Sequence, residues 1–239
     1  MKTERETRPL YQGRKINQKE VIKMHLKRQE VPKNWPIYRK GTKYVVRPDI
    51  NPEAGIPLLV ILRDVLKIVQ NRKEARRAIF LKQILVNSKI PKDEKNPVLL
   101  FDTISLITAK KNYRLDLSEK GKFKLREINE SEANGKPVKV VGKKILKGKI
   151  TQINLQDGRN FLSDIKCGIN DSVLINFKEK KIEKCLPLKE NSRAVVFDGK
   201  HSGKSGHIKT VDLHKKIAEL ETNNNEKINV LLKQIIVTE

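Results

Sequence analysis

The sequence predicts an α+β protein built of chained small modules, and three observations predict it. Long helical periodicity is confined to one stretch at about 57–80. After Pro97 short β-like runs alternate with glycine turns, a spacing that suits small β-barrels. The first 23 residues are basic with little apolar periodicity. The expected division is a basic N-terminal extension and arm at 1–45, a small αβ helix-pair domain at 46–96, a central β domain at 97–172 and a C-terminal β-barrel at 173–239.

Lys2, Arg5, Arg8, Arg14, Lys15, Lys19 and Lys23 mark residues 1–23 as a flexible basic tail. Pro32, Pro36, Pro48 and Pro52 each bias the residue before them away from helix, so the next segment reads as extended. From Pro57, at the favoured first helical position, Leu58, Leu59, Leu62, Val65, Leu66 and Val69 form one stripe. Arg63, Lys67 and Gln70 take the opposite face. Asn71 and Glu74 have the spacing of a capping box for a second helix. There Ala75, Ala78 and Ile79 point inward, leaving Arg72, Lys73, Arg76 and Arg77 outside. A strand at Ile84–Val86, a turn at Asn87-Ser88 and a short strand near Ile90 follow.

Beyond Pro97 strands are expected at Leu99–Ile107, Tyr113–Leu117, Phe123–Ile128, Val138–Val141, Lys149–Leu155, Ser172–Phe177, Arg193–Phe197, Ile208–Val211 and Ile235–Val237. A short helix is expected near Lys215–Leu220.

A formal charge of +24 on 239 residues exceeds what solubility needs and signals a polyanionic partner, nucleic acid first. The longest aliphatic run, Leu58–Leu62, is far short of the roughly 20 residues of a membrane-spanning helix. No membrane partner and no secretory leader are expected. Cys167 and Cys185 are too far apart for a CxxC unit and read as small hydrophobes in a reducing compartment. His201, His207 and His214 have no flanking carboxylate or thiol to complete a metal set, so neither metal nor cofactor is expected.

Taken together, these segments resemble one family: the archaeal and eukaryotic type of small-subunit ribosomal protein number four. His25-Leu-Lys-Arg28 with Pro32-Lys-Asn-Trp35 resembles its N-terminal signature, and EARRAIFLKQILVNSK its second RNA-binding helix and hairpin. PVLLFDTISL, NYRLDLSEKGKF and LQDGRN resemble its central domain, and AVVFDGKHSGKSGHIKTV its C-terminal SH3-like KOW barrel. The resemblance runs in order from about residue 24 to 239. Two departures stand out: residues 1–23 are additional, and Ser88 replaces the usual turn glycine, leaving Asn87 to take positive φ.

The resemblance implies a structural, non-enzymatic role in translation: binding small-subunit rRNA beside neighbouring small-subunit proteins, in the cytoplasm, with no small-molecule substrate. The residues expected at the RNA are His25, Lys27, Arg28, Trp35, Arg63, Lys67, Arg72, Lys73, Arg76, Arg77, Lys82, Lys200, His201, Lys204 and Lys209. Trp35 reads either as a base-stacking ring or as a packed one.

Three other readings are weaker. Gly199 to Ser205 resembles a P-loop but is one residue short between its glycines and is followed by a β-like run instead of a helix. Arg114-Leu115-Asp116 resembles a pseudouridine synthase motif, yet too little chain follows for a domain that holds a flipped base. A free RNA-binding or elongation factor with a KOW barrel would lack the helix pair and the N-terminal signature.

Overall fold

The computed structural model describes residues 25–148, 150–163, 165–222 and 226–238. The predicted tail at 1–23 lies outside them. Strand β1 (Leu26–Lys27) pairs antiparallel with β2 (Tyr44–Val45). Next come β3 (Gly55–Pro57), helix α1 (Leu58–Val60, continued as a π-turn over Ile61–Val65), helix α2 (Arg72–Phe80) and β4 (Ile84–Val86). Strands β5 (Pro97–Leu99), β6 (Thr103–Leu106), β7 (Lys111–Leu117) and β8 (Phe123–Ile128) follow. β3 pairs with β5, and a second sheet has the order β4-β6-β7-β8. One apolar core joins these elements, from Leu26 and Trp35 through the α1 leucines, Ala75 and Ile79 to Leu115 and Phe123.

The first predicted helix is much shorter than its stripe. Pro57 ends β3 with extended backbone instead of opening the helix. Leu58 to Leu62 are all buried, so this segment is a core turn without the polar face of a surface helix. The Leu66 amide reaches back five residues to the Ile61 carbonyl at 2.9 Å, and Lys67 then turns to positive φ. Lys67 therefore shares no helix face with Arg63. The second helix matches its reading: the capping box forms, with Asn71 and Gln70 amides donating to the Glu74 carboxylate at 3.4 and 2.7 Å.

Central strands β9 (Gly135–Ile145), β10 (Thr151–Leu155), β11 (Asn160–Leu162), β12 (Ser172–Asn176) and β13 (Lys181–Leu186) form a sheet in the order β11-β10-β9-β12-β13. Its core includes Val140, Ile153, Val173 and Cys167, with Cys185 half-buried beside them. The C-terminal sheet, in the order β17-β16-β15-β14-β18, comprises β14 (Arg193–Val196), β15 (Ser205–Asp212), β16 (Ile217–Thr222), β17 (Lys227–Leu231) and β18 (Ile235–Val237). It encloses Ala194, Ile208, Leu220 and Ile235.

Several expectations need correction. The helix near Lys215–Leu220 is strand β16: Ala218, Leu220 and Thr222 are buried at alternate positions between β15 and β17, a period of two that a helix cannot satisfy. The expected run Leu99–Ile107 breaks at Phe101, whose φ is 62°, into β5 and β6. Near Ile90 only an isolated bridge, Val86 to Lys89, extends the turn. Two domain boundaries fall inside sheets: β4 pairs with β6 across residue 96, and β12 lies between β9 and β13 across residue 172.

Buried polar bonds tie the three cores together. Asp102 accepts from Asn87 Nδ2 at 2.8 Å, from the Leu99 amide at 2.7 Å and from Lys136 Nζ of β9 at 2.7 Å. The Lys139 ammonium, also on β9 and buried, donates to the Ile235 carbonyl at 2.9 Å and to the Leu232 carbonyl. Ser172 Oγ accepts from the Val237 amide at 2.9 Å.

Candidate nucleic-acid interface

Helix α2 presents the densest set of expected residues. Ala75 and Ile79 face the core, which forces Lys73, Arg76 and Arg77 outward by helical spacing. Two of the arginines share one carboxylate. Arg72 Nε donates to Glu94 Oε1 at 2.5 Å, and Arg76 donates to both Glu94 oxygens at 2.9 and 3.1 Å. Glu94 is fully buried. Burial alone would raise its pKa, but the bonds from Arg76, its own backbone and Arg72 outweigh burial and bring it to about 2. Arg72 and Arg76 are thus anchored at their inner edge while about half of each side chain stays exposed. Such a held guanidinium loses less freedom when a phosphate arrives.

The other expected residues divide. Lys27, Lys67, Lys73, Arg77, Lys82 and Lys200 are exposed. Lys82 sits at positive φ just past α2. Arg63 is held by the adjacent Asp64 at 2.9 Å. Exposed His25 lies against Tyr44 with ring centroids 5.8 Å apart. Arg28 spends its guanidinium internally, donating to the carbonyls of Thr42 (2.7 Å) and Tyr38 (2.8 Å) and to Thr42 Oγ1. Trp35 is only 2% exposed and donates its indole N–H to the Pro52 carbonyl at 3.0 Å. Of its two readings the packed one holds, and its ring is closed to a base.

In the loop after β14, Lys204 pairs with Glu226 at 2.7 Å and Lys209 with Glu221 at 2.9 Å. His201 is half-buried and Lys200 is exposed. Gly203 has a φ of 91°, and a Cβ there would lie 1.9 Å from the Ser118 carbonyl. A Cβ on Gly206 would lie 2.1 Å from the Glu221 carbonyl. These glycines permit the close approach of the protein's own backbone. After Lys204 the chain enters β15, so the helix that a P-loop requires is replaced by a strand.

Gly203 docks the loop on the Ser118–Lys122 turn between β7 and β8, where a cleft of about 1050 Å³ opens. Lys33, Lys120 and Lys122 meet Lys200 around it. The sequence reading missed these three, although Ser118-Glu-Lys-Gly-Lys122 carried the usual signal of a basic turn.

Leu115 is buried in β7, and Asp116 beside it pairs with Arg126 at 3.2 Å and Arg114 at 3.6 Å. Burial raises its pKa, and the arginines partly offset that. This carboxylate stands on a sheet face within an ion-pair network that includes Glu132.

Comparison with known proteins agrees with the architecture. The family model described as "Ribosomal family S4e" matches residues 109–182, and that of the "RS4NT (NUC023) domain" matches residues 22–50. The small ribosomal subunit protein eS4 of Methanothermobacter thermautotrophicus is 38% identical over 79% of both chains. That of Archaeoglobus fulgidus is 36% identical over 80% of this chain and 81% of its own, and that of Methanocaldococcus jannaschii 33% identical over 90% and 93%. The crystal structure of the 30S ribosomal protein S4e from Thermoplasma acidophilum superposes with a TM-score of 0.66 at 23% identity, covering 77% of this chain and 94% of that one, which supports the fold. With more than a third of positions identical across most of its length, and two family segments in their proper order, the chain belongs to the ribosomal S4e family.

Proposed function

We propose that the chain is a structural constituent of the small ribosomal subunit, binding its rRNA beside neighbouring small-subunit proteins in the cytoplasm. The observation that carries this reading is the outer face of α2, where Lys73 and Arg77 project beside Arg72 and Arg76, both fixed by buried Glu94. Held cations at helical spacing neutralise neighbouring phosphates and release their counterions, which gives affinity without base sequence. The α1 turn and α2 serve as the family's RNA-docking helix pair. The C-terminal sheet, with loop 199–203 between its first two strands, serves as the KOW-type barrel. The working modules are a helix-bearing unit up to β8, a central sheet from β9 to β13 and the barrel from β14 onward. No chemical step enters this role, and Asp116 acts as an ion-pair partner.

Sedimentation of the tagged protein from cell extract tests the assignment. It should travel with small-subunit particles and shift to the top of the gradient after RNase treatment. Migration with RNA polymerase, or free in extract without RNase, contradicts it.

A further inference from the structure

Phe80 ends helix α2 and is 84% exposed, an unusual place for a ring that buries 150–250 Å² when packed. Unlike Tyr38, which is also exposed but carries a hydroxyl that water can satisfy, Phe80 gains nothing from solvent. Its surroundings are cationic. Arg77, Arg76 and Lys73 precede it by three, four and seven residues, the spacings that bring side chains onto one helix face. Ala75 and Ile79 occupy the opposite, buried face. Lys82 follows at the helix end.

We propose that Phe80 is a stacking platform for one unpaired base of the bound RNA, with Lys73, Arg76 and Arg77 holding the phosphates on either side. The proposal rests on the reading of α2 as an RNA face and adds to it a single-stranded element of the ligand. Charge complementarity selects the occupant: an apolar protein surface seated on Phe80 would have to desolvate three cations around it, whereas a nucleotide brings a π-face and an adjacent phosphate together. The paired bases of an A-form helix offer no free face, so the recognised RNA must present a loop or bulge here.

The test uses the full chain and two probes: a short RNA hairpin with a loop of unpaired adenines, one of them a fluorescent adenine analogue, and a fully paired duplex of equal length. Phe80→Ala should weaken hairpin binding by about tenfold and abolish the stacking quench of the analogue, with duplex affinity and salt dependence unchanged. Phe80→Trp should retain the quench. Unchanged hairpin affinity in Phe80→Ala, with binding lost in Lys73→Glu/Arg77→Glu, overturns the platform and leaves the RNA face standing. Unchanged affinity in all variants overturns both. Intact RNA binding with lost incorporation into small-subunit particles would mean that a protein neighbour covers Phe80, and the proposal falls.

Discussion

Glu94 and Arg76 meet at 2.9 Å between a fully buried carboxylate and a half-exposed guanidinium, so the charge that stiffens the α2 surface comes from inside the protein. Arg72 closes the same carboxylate from the preceding helical turn. Replacing Glu94 by Gln removes the charge and should cost about 1–3 kcal/mol in chemical unfolding. The folded pKa of Glu94 is depressed from 4.5 to about 2, so its stabilisation is complete above pH 4.5 and is lost as pH falls towards 2. Glu94→Gln should lack that part of the acid dependence. Identical acid profiles for the two proteins would show that the arginines do not hold the carboxylate ionised.

Lys139 gives the same sign of slope in an alkaline window, from a different cause. Burial lowers its ammonium from 10.5 to about 8, so between those values the unfolded chain binds more protons than the folded one. Its contribution makes stability rise with pH over that window. Lys139→Met, which leaves the Leu232 and Ile235 carbonyls without this donor, should remove the rise, so wild-type stability should gain on that of the variant as pH goes from 8 to 10.5. Parallel profiles would contradict it.

Loop 199–203 separates conformational from electrostatic roles. Gly203→Ala places a Cβ against the Ser118 carbonyl at positive φ, so the loop must leave its dock and melting temperature should fall, by about 1–3 kcal/mol of stability. Lys200→Ala should leave melting unchanged and lower the salt slope of RNA binding by roughly one ion. A Gly203→Ala protein as stable as wild type would contradict the docked loop.

The hairpin turn offers a stabilising change. Asn87 and Ser88 both take positive φ, 51° and 59°, where the sequence suggested that Asn87 alone would do so. Asn87 has a further use, since its side chain bridges Asp102 and the Thr103 amide. Ser88 is exposed, and serine tolerates positive φ less well than asparagine, so Ser88→Gly should stabilise by about 0.5–1 kcal/mol in denaturant unfolding. A loss of stability would show that this turn is not strained at Ser88.

What the sequence revealed was local. The Asn71 to Glu74 box, β8 and β18 depend on neighbouring residues and period, and their bounds match the reading. Strand β16 was missed because its partners lie in β15 and β17, pairings that local sequence does not display. Glu94 was invisible as the anchor of Arg72 and Arg76, being 22 and 18 residues away with no periodicity linking them. Trp35 illustrates the same limit, since its burial and its bond to Pro52 arise from a fold-back across an irregular segment. In the site, the α2 cations were readable from helical phase. The lysines at 33, 120 and 122 meet Lys200 only through tertiary docking.

The central measurement is the affinity of the full chain for small-subunit rRNA, titrated against salt, before and after charge reversal of the α2 face. Lys73→Glu, Arg77→Glu and Lys82→Glu alter exposed positions, so the triple variant should keep its circular dichroism and melting temperature. Its affinity should fall by at least about a hundredfold at physiological salt, and the slope of log K against log salt should drop by about two to three. A folded triple variant that binds with the wild-type affinity and slope would contradict the account, because α2 would then not be the surface that meets RNA.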